Sequence, residues 1–202
     1  MKKLLTIEDS LDYLRIVSEP VDFEKDNIDE MISDLKEYCI NNEVYALSPV
    51  QIGIPKRIMY IKNTNQDMGL NKANGKDESI VFINPRIIET YGETYFLECC
   101  QSCQFKNGDF IGAVVKRPYR IVVSYFDRDN NEYTKTLLGF EATVFCHEYD
   151  HFYGIFHSDR VKDAKRMSVS EVREYRTKHP QIIVSKTNPF PLDKYLKFNN
   201  EY

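Results

Sequence analysis

Between residues 28 and 39 the apolar side chains fall at Ile28, Met31, Ile32, Leu35, Tyr38 and Cys39. Steps of three and four place them on one face of a helix. Asp26 or Asn27 can cap its start, and it ends near Asn41-Asn42. A helix with one apolar face needs a layer to cover it, and short runs rich in β-branched and aromatic residues supply a sheet. These are 57–61, 80–83 (stopped by Asn84-Pro85), 90–97, Val114-Val115, and 120–126, which pairs with 133–138 across a polar turn at 127–131. A second helix is expected from about 141 to 153, with Gly154 just past its end. A third is expected over 168–178, ended by Pro180. Residues 1–25 read as an extended, irregular lead-in, 63–78 as a polar surface loop, and about 181–202 as an extension wrapping the surface.

Strands outnumber helices and no internal repeat is present, so the expected class is α+β: mostly antiparallel sheets packed around a central helix, with an N-terminal helix and a C-terminal helix and extension. The 202 residues fit a single domain, 1–202, long enough to bury a sizeable core. A net charge of −4 with dispersed Lys and Arg argues against a nucleic-acid partner, which needs a basic face. The mildly basic run at 162–176 reads as a solvated helix face. No apolar run approaches bilayer length, and Glu8, Asp9 and Asp12 cut off any signal-like start, so no membrane partner and a cytoplasmic location are expected.

Chemistry concentrates in the second helix, where residues 147–151 read His-Glu-x-x-His. The imidazoles of His147 and His151, at i and i+4, project from one face a turn apart, the spacing at which two can hold one metal ion. Glu148 points aside, where it can serve a water on the metal rather than the metal itself. The plain alternative is a surface helix that happens to carry two histidines. A catalytic site of this kind has three protein ligands and one open position. The five cysteines form no disulfide framework: Cys99, Cys100 and Cys103 are crowded together and the count is odd. Cys100 and Cys103 make a C-x-x-C with no second such pair and no βαβ pattern around it, which leaves one cysteine of the cluster open as a metal ligand.

Three stretches in order resemble the signature motifs of the peptide deformylase family over about residues 10–162. Cys146-His147-Glu148-Tyr149-Asp150-His151 matches a Gln-His-Glu-x-Asp-His helix, and Glu98-Cys99-Cys100-Gln101-Ser102 matches Glu-Gly-Cys-Leu-Ser. The stretch from Val44 to Gln51, followed by Ile52-Gly53, matches an eroded Gly-x-Gly-x-Ala-Ala-x-Gln. Ile83-Asn84-Pro85, Val115-Lys116-Arg117 and Gly154-Ile155-Phe156 with Asp159-Arg160 support the match. The resemblance implies that Cys100, His147 and His151 hold one divalent metal ion, Fe(II) or Zn(II), with Ni and Co also compatible. It implies Glu148 as general base and then acid in a metal-assisted hydrolysis that removes the N-formyl group of N-formyl-methionyl peptides. Gln51, through its side-chain amide, and Gln101, through its backbone N–H, are the implied oxyanion donors. Tyr45, Ala46, Leu97, Cys99, Thr143 and Val144 are the implied substrate-binding positions. Glu98 and Arg117 are expected to pair and steady the cysteine ligand, the alternative being two separate surface charges. Asp150 is expected to anchor the ligand helix, while His157 and His179 are read as surface histidines. The partner implied is an N-formylated peptide or a small formylated compound, with the ribosome as a further candidate.

The sequence departs from the family where the peptide is received. Val44 and Ala46 stand in place of the two glycines, Ser48-Pro49 in place of Ala-Ala, Cys99 in place of Gly and Gln101 in place of Leu. Tyr45 brings a bulky ring to the entrance. Two other readings therefore stand beside deformylation: a divergent amidohydrolase acting on another N-formyl or N-acyl compound, and a non-catalytic relative that binds metal or peptide.

Overall fold

The computed structural model describes residues 2–62 and 80–197. The polar loop expected at 63–78 and the end of the C-terminal extension lie outside the described residues. The elements are α1 (Ile7–Leu14), α2 (Ile28–Asn41), β1 (Ala46–Leu47), β2 (Ile58–Ile61), β3 (Ile80–Gln104), β4 (Phe110–Arg117), β5 (Arg120–Phe126), β6 (Glu132–Leu138), α3 (Phe140–His151), β7 (Lys165–Met167), α4 (Val169–Lys178), β8 (Ile182–Pro189) and α5 (Leu192–Lys197). All strand pairs are antiparallel. The class is α+β, as the patterning predicts.

The 25-residue β3 is the spine. On one edge it pairs with β5 through Tyr91 and then with β4 from Thr94 onward. On the other it pairs with β2 over Ile80–Ile83 and with β8 from Tyr91 to Tyr95. The strand expected to stop at Asn84-Pro85 instead runs through them. Asn84 takes a φ of +48°, and the β5 register slips between Ile83 and Arg86. Proline is tolerated at such an irregularity because no ladder N–H is required there. The Asn84 amide is not idle, since Oδ1 accepts from the Val21 N–H (2.7 Å) and Nδ2 donates to the Val21 carbonyl (2.9 Å).

Helix α2 is capped by Asn27, whose side chain accepts from the Glu30 N–H. Its buried face, Met31, Leu35, Tyr38 and Cys39, packs on Leu47, Ile58, Tyr60 and Ile83. Helix α3 buries Ala142, Phe145, Cys146 and Tyr149 against Met59, Phe82, Ile121, Val123 and Leu137. Phe145 meets Phe82 edge to face at 5.2 Å between ring centres. Each such fully buried ring contributes roughly 1.5–3 kcal/mol of transfer free energy, which fastens α3 to the sheet.

Three other expectations change. The lead-in contains a real helix, α1, kinked at Ser10. It docks at the end of α3, where Gly154 has φ +68° and an added Cβ would lie 2.3 Å from the Arg15 carbonyl oxygen. The α3 helix stops at His151 rather than 153, and the Ile155 N–H reaches back to the Asp150 carbonyl to close the end. The stretch after 181 does more than wrap: β8 joins the sheet, and Tyr195 of α5 is buried in the α3 core cluster.

Candidate metal centre

Three segments converge on one point. On β3 the register to β4 slips between Cys99 and Gln104, so residues 100–103 leave the ladder and Cys100 turns into the interior. Helix α3 presents His147 and His151 from the same face, with ring centres 5.1 Å apart. The segment after β1 forms a short 3-10 helix, Pro49–Ile52, with Pro49 at its first position, where a missing N–H costs nothing.

One ligand atom from each of Cys100, His147 and His151 lies within 4.8 Å of the others, and Cys100 Sγ is 3.3 Å from His151 Nε2. Cys99, Cys103 and Cys146 are free thiols outside this cluster. One thiolate and two imidazoles around a shared point suit a borderline-soft divalent cation with room for a fourth ligand. The contact with Cys103 and burial push the Cys100 thiol up to about 11, so cation binding there must displace a proton.

The ring of His147 is fixed from behind, because Nδ1 lies 2.8 Å from Glu98 Oε2, which leaves Nε2 for a metal. Glu98 in turn takes a two-pronged bond from Arg117, Nε to Oε1 and Nη2 to Oε2, both 2.8 Å. Arg117 also donates to Asp150 (2.6 Å) and to the Tyr195 hydroxyl (2.8 Å), and Arg160 grips both oxygens of Asp150 at 2.5 Å. Arg117 is fully buried and Glu98 is 4% exposed. The reading of two separate surface charges is therefore excluded, and Asp150 anchors the ligand helix. His157 is not at the surface. It is buried, stacks on His147 at 5.5 Å, and lies with Nε2 2.9 Å from the Ile111 carbonyl oxygen. Burial pushes its pKa down to about 4, so it is neutral at ordinary pH. His179 is exposed, as read.

Glu148 lies beside the cluster, buried, with Oε2 lacking any partner among the described residues. Burial pushes its carboxyl up, against the pull of His147 and of hydrogen bonds from Ser48. A buried carboxyl with a free oxygen and a raised pKa is suited to take and return a proton. Gln51 is oriented unambiguously. Its Oε1 accepts the Ser48 N–H (3.1 Å), which turns Nε2 toward Cys100 Sγ (3.4 Å) and Ser102 Oγ (3.1 Å). The Ser48-Pro49 departure has a local reason, since the Ser48 hydroxyl donates to the Glu148 carbonyl (2.7 Å) and ties this segment to α3. Gln101 accepts from the Tyr38 hydroxyl through its side chain (3.2 Å), and its backbone lies where β3 has left β4.

A cleft of about 180 Å³ opens at the cluster, below the roughly 300–1,000 Å³ of pockets that take drug-sized ligands. Tyr45, Ala46, Cys99, Thr143 and Val144 line it, with Gln51, Gln101, His147 and Glu148. Leu97 does not. Its side chain packs on Met167 and Val172 instead. Sequence reasoning missed Phe96, Phe140 and Arg176 on the cleft wall. Phe96 was signalled by its place two residues before Glu98, but Arg176 had no signal, because only the folded chain brings α4 beside β3.

An α+β domain with a Cys-His-His cluster beside a buried glutamate defines a metallohydrolase-type centre. A family model described as polypeptide deformylase matches residues 1–167. The peptide deformylase of Finegoldia magna is 34% identical over 162 residues, 79% of this chain and 90% of that protein. A probable peptide deformylase of Synechococcus phage S-SSM7 superposes with a TM-score of 0.66 at 27% identity, over 80% of this chain and all of the other. A Met-Ala-Ser-bound peptide deformylase of Acinetobacter baumannii shares the fold, with a TM-score of 0.67 at 19% identity over 80% of this chain and 98% of that one. The chain belongs to the polypeptide deformylase family, hydrolases that remove the N-formyl group from N-formyl-methionyl peptides. Among the described residues no helix is long and apolar enough to cross a membrane.

Proposed function

We propose that this chain is an active deformylase of N-formyl-methionyl peptides in which Cys100, His147 and His151 hold the metal, Glu148 moves the proton, and Gln51 with the Gln101 N–H stabilises the oxyanion. A divalent ion bound there supplies Lewis acidity and an activated water near neutral pH. Glu148, held one position from a ligand histidine, accepts the proton of the attacking water and returns it to the departing amine. The Gln51 Nε2, aimed by Ser48, meets the negative charge that develops on the formyl oxygen. A formyl carbon carries hydrogen in place of a side chain, so the carbonyl under attack is small and a tight cleft can receive it.

The peptide has an open strand edge to follow. Among the described residues β8 pairs with β3 only as far as Tyr95, so no strand pairs with residues 96–99 on the edge opposite β4, where Arg176 holds the Leu97 carbonyl and residues 44–46 face the strand across the cleft. The Acinetobacter baumannii relative with Met-Ala-Ser bound supports an unformylated tripeptide as product class. Fe(II) and Zn(II) are the preferred ions on donor chemistry. We assign residues 1–202 to one catalytic domain working in the cytoplasm on nascent chains at the ribosome.

The observation that carries this reading is the buried Glu148 oxygen that has no partner among the described residues, beside a Cys-His-His cluster that could hold a metal. The test is steady-state turnover of formyl-Met-Ala-Ser against acetyl-Met-Ala-Ser, with protein loaded anaerobically with Fe(II) and, separately, with Zn(II). Turnover of the formyl peptide alone is expected. Metal-loaded protein that leaves the formyl peptide untouched contradicts the reading, and preference for another acyl group would favour the divergent amidohydrolase.

A further inference from the structure

The family match stops at residue 167, and α4 begins at Val169. The helix nevertheless forms part of the site wall. Its first turn is fixed by a capping box, with Glu171 Oε2 accepting the Ser168 N–H (2.7 Å) and Ser168 Oγ accepting the Glu171 N–H (3.3 Å). Val172 and Tyr175 pack on Leu97 and Met167, and β7, which ends in Met167, is paired to β4. The helix is thus built into the sheet.

Arg173 and Arg176 are three residues apart and so lie on neighbouring parts of one helix face. Arg176 donates from Nε (3.1 Å) and Nη2 (3.0 Å) to the Leu97 carbonyl, and its guanidinium carbon lies 5.0 Å from the Phe96 ring centre. It is therefore held at the open edge of β3, on the wall of the catalytic cleft. Arg173 lines the outward continuation of that cleft, whose opposite lip is residues 43–45. An arginine presents five N–H donors in a planar fork, and the Leu97 carbonyl occupies only two of those of Arg176. Among the described residues no carboxylate pairs with either guanidinium. Glu43 on the far lip is exposed and screened by water. On a chain of net charge −4, the channel leading from the site is locally positive.

We propose that Arg173 and Arg176 form a carboxylate-binding subsite for the part of the peptide that leaves the catalytic cleft, so that the enzyme prefers N-formyl peptides carrying an acidic group a few residues downstream of the formylated one. This rests on the deformylase reading above. The outer channel shares Val44, Tyr45, Cys99, Gln101 and Arg176 with the catalytic cleft, so a peptide with its formyl group at the metal centre runs out along it. Guanidinium forks bind carboxylates with both charge and geometry, which neutral downstream residues cannot match.

The test is steady-state kinetics of the metal-loaded full chain on a set of amide-capped formyl-Met tetrapeptides. One is neutral, and the others carry a single Asp at the second, third or fourth position. The neutral peptide with a free C-terminal carboxylate completes the set and separates side-chain from terminal recognition. At least one carboxylate-bearing peptide is expected to exceed the neutral one about tenfold in kcat/KM, through KM, with the advantage shrinking as salt rises. Arg173→Glu, at an exposed position, and Arg176→Gln should each bring the acidic-to-neutral ratio close to one. A ratio near one for every peptide with the unaltered chain, or a preference that survives both substitutions, overturns the subsite while leaving deformylation in place. No turnover of the neutral peptide overturns the deformylase reading itself.

Discussion

Glu98 Oε2 lies 2.8 Å from His147 Nδ1 while the same carboxylate is gripped twice by the buried Arg117. One side chain therefore sets the ring of His147, a candidate metal ligand, and neutralises a buried cation. Glu98→Ala removes both functions. It leaves Arg117 with Asp150 and Tyr195 only, and breaking a buried pair in this way costs about 3–5 kcal/mol. Loss of the partner behind a metal-ligating histidine weakens metal affinity about 10–100-fold. Urea unfolding and a competition assay with a chelating dye read the two effects separately. A variant as stable as the parent would show that Glu98 is not the centre of the network.

Acid should reveal the same network. Burial alone would raise the Glu98 and Asp150 carboxyls, but Arg117 beside Glu98, and Arg160 with Arg117 beside Asp150, reverse this and hold both below the usual carboxylate range. A carboxyl with a depressed folded pKa adds stability above its unfolded value, near 4, and loses it as pH falls through the folded value. The urea midpoint should be nearly flat from about pH 7 to 5 and fall steeply below about pH 4. A midpoint unchanged down to pH 3 would contradict the assignment.

Gln51 reaches the cluster only because the Ser48 N–H holds its oxygen away from it. Gln51→Leu keeps the bulk and deletes the donor. The expected result is a loss of about 10²–10³ in kcat with metal content unchanged, the size seen when one oxyanion donor is removed. An unchanged kcat would remove Gln51 from the reaction.

Tyr45 stands at the entrance, 37% exposed, edge to face with Phe140 at 6.2 Å, and Phe140 meets Phe96 at 5.2 Å. Three rings narrow this side of the cleft, where the proposed function puts the methionyl side chain. Tyr45→Ile should raise kcat/KM for formyl-Met-Ala-Ser a few-fold, as expected for relieving a steric clash of roughly 1 kcal/mol. An equal or lower value would show that the ring contributes to binding.

Much of this was legible in the sequence because it is local. The i, i+4 histidines declare themselves on a helix, and the amphipathic run of α2 and the β5–β6 hairpin follow from periodicity and turn chemistry. What was not legible depends on distant pairing. Whether Glu98 and Arg117 meet is set by the β3–β4 register, and His157 looked like a surface residue because nothing local records that Ile111 and His147 enclose it. Asn84-Pro85 suggested a strand end because the rescue of the irregular backbone comes from Val21, 63 residues away. Leu97 was placed in the pocket as a neighbour of the motif, whereas its side chain packs on Met167 of β7 and Val172 of α4, a contact that no local pattern records.

The central claim, that Glu148 transfers the proton at a Cys100-His147-His151 metal centre, is tested most directly by Glu148→Gln. The substitution keeps the shape and removes the base. With metal bound at one equivalent, turnover of formyl-Met-Ala-Ser should fall by about 10²–10⁴ relative to the parent. Glu148→Gln protein that binds metal and retains parental turnover would contradict the mechanism.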